Sequence, residues 1–164
     1  MNFNQGDHVV HQKFGVGVVV SVEGMNLTGD QSRLCYRCDF DKTTVWVPVS
    51  GQPSGTLRLI TPKDHLDRYR RLLESRPVPL DRDFHKRQIE LETRMERGTF
   101  QGLCEVLRDL HALNALKPLN SYEKGLYRQT RDTLVLEWSA ASGLPQSGVK
   151  SEIDRCLQLH TKER

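Results

Sequence analysis

The chain has no apolar run approaching the length that spans a bilayer, and no basic stretch leading into an apolar core of the kind that marks a secretory signal. A soluble cytoplasmic protein without membrane contact is the expectation. Cysteine is scarce: four thiols in 164 residues, with no secretory context, read as reduced side chains and not as a disulfide framework. Neither sign of charge dominates, with 24 Lys and Arg against 21 Asp and Glu. The distribution says more than the total. Residues 1–60 carry equal numbers of acidic and basic side chains, so the whole surplus of +3 falls beyond them, and any polyanion contact belongs in the second half. Internal repeats and low-complexity tracts are missing too.

Two nucleotide-binding signatures are also absent. Gly15 and Gly17 precede a run of valines, but a dinucleotide fingerprint needs a third glycine where Val20 stands, and then a helix. Val18, Val19, Val20 and Val22 are stiff at χ1 and favour a strand. No Gly-Lys-Ser/Thr follows either. The plainer reading is that the two glycines permit positive φ or a close backbone approach at a bulge between short strands.

What is present divides in two. Up to residue 60, strand candidates His8 to His11, Val16 to Glu23, Arg33 to Phe40, Thr43 to Val49 and Leu57 to Ile60 are separated by turn signals. These include Gly29-Asp30, Asp41-Lys42 and Gly51 to Gly55. Five short strands at this spacing suggest a small barrel closing its own edges, with Pro48 and Pro53 placing the end of the fourth at an edge or exit. After Thr61-Pro62 the hydrophobic period changes from two to about 3.6, which sets domains at 1–62 and 63–164. The second holds about five helices. One carries Leu66, Tyr69, Leu72 and Leu73, and a second begins near Asp81 with Phe84, Gln88, Leu91 and Met95 and ends at Gly98. Thr99 caps a third, whose stripe is Leu103, Leu107 and Leu110, with Cys104 beside it. Asn120 caps a fourth with Glu123 at its third position, running to Gly143. The fifth uses Val149, Ile153, Cys156, Leu157 and His160. The fold class is therefore α+β, a β-module followed by an all-α domain.

Candidate chemistry is sparse. Cys35 and Cys38 have metal-motif spacing but no second ligand pair, and on a strand they point to opposite faces. The histidines at 8, 11, 65, 85, 111 and 160 have no recognisable nucleophile setting. No catalytic residue, metal or cofactor is expected. The segment from Arg82 to Arg87, with Arg94 on the same helix, places basic residues around the aromatic Phe84. It reads either as an ordinary solvated helix face, since Glu90, Glu92 and Glu96 interleave, or as a nucleic-acid contact. In the second case Lys86 and Arg87 touch phosphates and Phe84 is an apolar wedge against a base step.

The pattern Phe3, Gly6-Asp7, Val9-Val10-His11 followed by Phe14-Gly15-Val16-Gly17-Val18-Val19 resembles the opening of the CarD/CdnL family of bacterial transcription regulators. Val45, Val47-Pro48-Val49, Gly55 and Leu57-Arg58 continue the match. In the helical part, Glu105 to Leu110, then Leu119, Ser121, Glu123 and Lys124, are similar to the family's central and following helices. The likeness runs over about residues 1–142, and residues 143–164 fall outside it. It implies a Tudor-like (SH3-like) β-barrel, residues 1–62, docking on the β subunit of RNA polymerase. The helical domain would contact promoter DNA, largely without sequence specificity, at the upstream edge of the −10 element. The molecule would act as a monomer that stabilises the open promoter complex and catalyses nothing. Candidate DNA contacts are then Phe84, His85, Lys86, Arg87 and Arg94; candidate polymerase contacts are Met25, Val45, Trp46, Val47 and Pro48. The family commonly has tryptophan where Phe84 stands, and an indole N–H is lost with it. Met25 and Trp46 occupy positions where some members carry arginine. Trp46 reads equally as an exposed anchor or as a core residue of the barrel. The alternative function is a protein adaptor whose β-module binds a different partner without DNA contact; an enzymatic or zinc-binding role ranks behind both.

Overall fold

The computed structural model describes residues 2–28, 31–51 and 56–159. The expected turn at Gly29-Asp30, Pro53, Gly55 and His160 lie outside the described residues. The chain divides into two compact units, Met1–Ile60 and Thr61–Arg164.

The first unit is an antiparallel five-stranded sheet in the order β4-β3-β2-β1-β5. Its strands are β1 (His8–His11), β2 (Gly15–Thr28), β3 (Gln31–Phe40), β4 (Thr43–Pro48) and β5 (Leu57–Leu59). Alternation sorts the side chains: Val9, Val19, Tyr36, Cys38, Phe40 and Val47 share one buried cluster with Phe3, whose ring meets Tyr36 edge to face. β2 is longer than the valine run suggests, because it pairs with β3 through Thr28 and Gln31.

The two glycines have separate tasks. Gly15 opens β2 opposite His11 with φ +81, a left-handed conformation that a side chain would strain. At Gly17 the constraint is space, since a Cβ there would fall 2.5 Å from Phe40 Cδ1 and 2.6 Å from the Asp39 carbonyl oxygen. The sheet irregularities are elsewhere: the register shifts between Val19 and Ser21, leaving Val20 as the extra residue, and again between Asn26 and Thr28. Gly17→Ala should therefore destabilise the sheet by about 1–3 kcal/mol through overpacking. A chemical-denaturation midpoint equal to wild type would show that Phe40 yields without cost.

The second unit begins with a 3-10 turn at Lys63–His65. Its helices are α1 (Leu66–Glu74), α2 (Phe84–Glu96), α3 (Phe100–Leu116), α4 (Ser121–Ser142) and α5 (Gln146–Gln158). Each expected cap is in place: Thr99 accepts from the Gly102 N–H, Asn120 from the Glu123 N–H, and Gly143 ends α4 with φ 76. α3 is buried on two sides and not on the single stripe expected. Leu103, Cys104 and Leu107 join a cluster with Leu66, Leu73, Leu134, Trp138 and Ile153, while Val106 and Leu110 join Leu91 and Leu119. The segment Gln146–Gln158 belongs to this domain, because α5 contributes Val149, Ile153, Cys156 and Leu157 to the first cluster. At the start of the unit, Thr61 donates from its N–H (3.1 Å) and Oγ1 (2.6 Å) to the fully buried Glu137 carboxylate. Among the described residues no helix is long and apolar enough to cross a membrane.

Candidate functional site

Two surfaces carry the candidate residues, one in each unit. In the helical unit, Asp83 caps α2 through one carboxylate oxygen that accepts from the N–H groups of His85 (2.9 Å) and Lys86 (3.1 Å). The first helical residue is then Phe84, and the cap leaves its ring 52% exposed, although it lies in the apolar period of α2. The His85 ring lies 4.0 Å from it, centroid to centroid, and Lys86 and Arg82 are exposed on either side.

Arg87 corrects the sequence reading. Expected as a phosphate contact, it is buried, and its guanidinium forks onto Glu123 of α4 with Nε at 3.2 Å and Nη2 at 3.0 Å. Its Nη1 donates to the carbonyl oxygens of Asp81 (3.0 Å) and Arg82 (3.4 Å). Glu123 thus does not reach back to its own cap, as a reciprocal capping box would have it; its carboxylate is taken by Arg87. The pair fixes the turn that presents Phe84 onto the first turn of α4. Arg94 is also engaged, giving 2.7 Å hydrogen bonds to Asp109 and to Glu90. Of the five residues expected to meet DNA, Phe84, His85 and Lys86 lie together and exposed, whereas Arg87 and Arg94 hold the fold.

Asp109 was missed by sequence reasoning. Its side chain is wholly buried and accepts from Arg94, from Arg108 Nε (2.9 Å) and from the Val78 N–H (3.0 Å). Arg108 also donates to Ser75 Oγ at 2.9 Å. The segment joining α1 to α2 is tied to α3 in this way. Nothing in the local pattern around Asp109 distinguishes it from a solvated helix residue.

In the sheet unit, Trp46 is 41% exposed and is no core residue. It stands on the outward face of β4, opposite Arg37, which is opposite Ser21. Its Nε1–H donates to Glu23 Oε2 at 3.2 Å, Ser21 Oγ donates to Glu23 Oε1 at 2.9 Å, and an Arg37 nitrogen lies 3.8 Å from the same oxygen. The Ser21 hydroxyl, then the Trp46 N–H, hold the Glu23 carboxyl below its ordinary pKa, with Arg37 adding to the effect. Val47 departs from expectation: it is buried in the sheet's core, with Val45 packed beside it, so neither presents its side chain as Trp46 does. Met25 and Pro48 are half-buried.

The remaining chemistry is quiet. Cys35 and Cys38 are both buried, and burial pushes the Cys38 thiol up to about 11, away from the thiolate a nucleophile or ligand needs. Cys156 is likewise raised to about 11 by burial, then by Glu74. His111 faces the Tyr127 hydroxyl at 3.0 Å, and burial lowers its pKa.

Comparison with known proteins agrees along both units. Residues 3–72 match the family described as CarD-like/TRCF RID domain, and residues 69–154 match CarD, C-terminal domain. A relative from Bacillus subtilis (strain 168), bearing the name "Putative transcription factor YdeB", is 25% identical over 155 residues, covering 91% of this chain and 98% of that one.

Proposed function

The chain belongs to the CarD-like family, and from that premise we propose that it is a transcription regulator that docks on RNA polymerase through its β-module and steadies the open promoter complex through its helical domain. The observation that carries the DNA half is Phe84. An apolar ring more than half exposed sits at a helix start between Arg82 and Lys86, on a turn clamped by a buried ion pair. Such a ring can fill an opened base step while the neighbouring cations meet phosphates, and a rigid mount lowers the ordering cost of doing so. The polymerase half rests on Trp46, a large aromatic on a sheet face, the residue type that most often dominates interface energy. Docking makes the DNA contact effectively intramolecular, so that a weak helical-domain affinity can still bias the open state. A bias of about 1.4 kcal/mol changes an open-to-closed ratio tenfold. The role is one of binding and not catalysis, and Cys38, Cys104 and Cys156, all with pKa values raised by burial, are poor nucleophiles.

Full-length Phe84→Ala should capture RNA polymerase as wild type does while losing its effect on the lifetime of promoter open complexes. An unchanged lifetime would remove Phe84 from the mechanism and favour an adaptor without DNA contact. Lys86→Ala should lower the salt dependence of DNA binding by about one unit of log–log slope, one phosphate contact's worth. Titration of binding against salt checks this, and an identical slope would return Lys86 to the solvated surface.

A further inference from the structure

The bulge in β2 has a specific result on the outward face. In an unbroken strand Ser21 and Glu23 share a face with Val19, which is wholly buried in the core. The extra residue Val20 reverses the alternation, so that Ser21 pairs with Arg37 and Glu23 with Cys35, on the face that bears Trp46. The Glu23 carboxylate then receives the indole N–H and the Ser21 hydroxyl together. The Trp46 side chain has two rotatable torsions, and without a partner at its N–H a 41% exposed ring would sample several orientations.

We propose that Glu23 is a positioning residue for polymerase docking: it holds the Trp46 ring in the orientation that the partner surface meets, through its hydrogen bond to Nε1. The inference rests on the docking role given to Trp46 above. With its donor already satisfied, the ring offers the partner an apolar face and no free N–H, so the complementary patch on polymerase is apolar and not one that supplies a hydrogen-bond acceptor. Ser21 supports the arrangement by fixing the other carboxylate oxygen.

The test measures binding of the full-length protein to purified bacterial RNA polymerase core enzyme. Glu23→Ala should weaken binding about tenfold. Glu23→Gln, whose amide oxygen still accepts the indole N–H, should restore most of it. Tryptophan emission supplies a readout that a merely structural role would not move. Trp138 is wholly buried, so a shift in Glu23→Ala and its reversal in Glu23→Gln report on Trp46. The double variant Glu23→Ala with Trp46→Ala should bind no more weakly than Trp46→Ala alone. Wild-type binding by Glu23→Ala, where Trp46→Ala is impaired, overturns the positioning role while leaving the docking role intact. Wild-type binding by Trp46→Ala removes both.

Discussion

Glu123→Ala is expected to lower the unfolding free energy of the helical domain by about 3–5 kcal/mol, because it strands the Arg87 guanidinium in the interior. The side chains of the pair are 5% and 3% exposed, so neither charge can recover hydration where it stands. The loss is not the net worth of the ion pair. Replacing both partners by apolar residues of similar volume, Arg87→Met with Glu123→Leu, should recover most of the stability, since the desolvation cost of both charges disappears with them. The double variant still loses the grip of Arg87 Nη1 on the Asp81 and Arg82 carbonyls. It should therefore fold yet show faster amide exchange from residue 81 to residue 86, and a weaker effect on open complexes. Urea unfolding of the two variants decides the matter: a loss below about 1 kcal/mol for Glu123→Ala would mean that water reaches Arg87.

The second large effect is at Asp109. Asp109→Ala removes an acceptor shared by Arg94, Arg108 and the Val78 N–H, and should cost a further amount of the same order, about 3–5 kcal/mol. The three donors fare differently. Arg94 keeps Glu90, and Arg108 keeps Ser75, but the Val78 N–H is left without its partner. Asp109→Asn keeps one carbonyl acceptor and loses the charge, so its cost should fall between those of wild type and alanine. The loss should also be localised, with proteolytic cleavage between residues 75 and 83 rising sooner than global unfolding predicts. Equal protection of that segment in Asp109→Ala and wild type would show that the link from α1 to α2 is held by its own packing.

Both effects bear on what the sequence could reveal about the site. Phe84 was legible as a candidate because an aromatic stood among basic residues at a helix start, and the structure leaves it exposed. Its neighbours were not separable by the same signal. Lys86 and Arg87 are adjacent cations, yet a 100° step along the helix turns one to solvent and the other toward Glu123, 36 residues away. Trp46 was undecided in the sequence because alternation alone could run either way; its partner at Arg37, outside the core, settles its face. The Val20 bulge had no sequence signal, since nothing in a run of valines marks which one is left unpaired.

Local chemistry thus determined the elements of this protein: the β-branched and apolar alternation before residue 60, the 3.6-residue period after it, and the caps at Thr99 and Asn120. These depend on neighbours within four residues, which is the range over which backbone preference and capping act. The tertiary structure decided which charges are structural and which are free, that α3 is buried on two sides, that α5 completes the core, and that Glu23 meets Trp46. Those outcomes depend on partners brought together through space. A guanidinium or carboxylate has the same local preference whether it ends in water or in a buried pair; only the packing of distant segments supplies or withholds its partner.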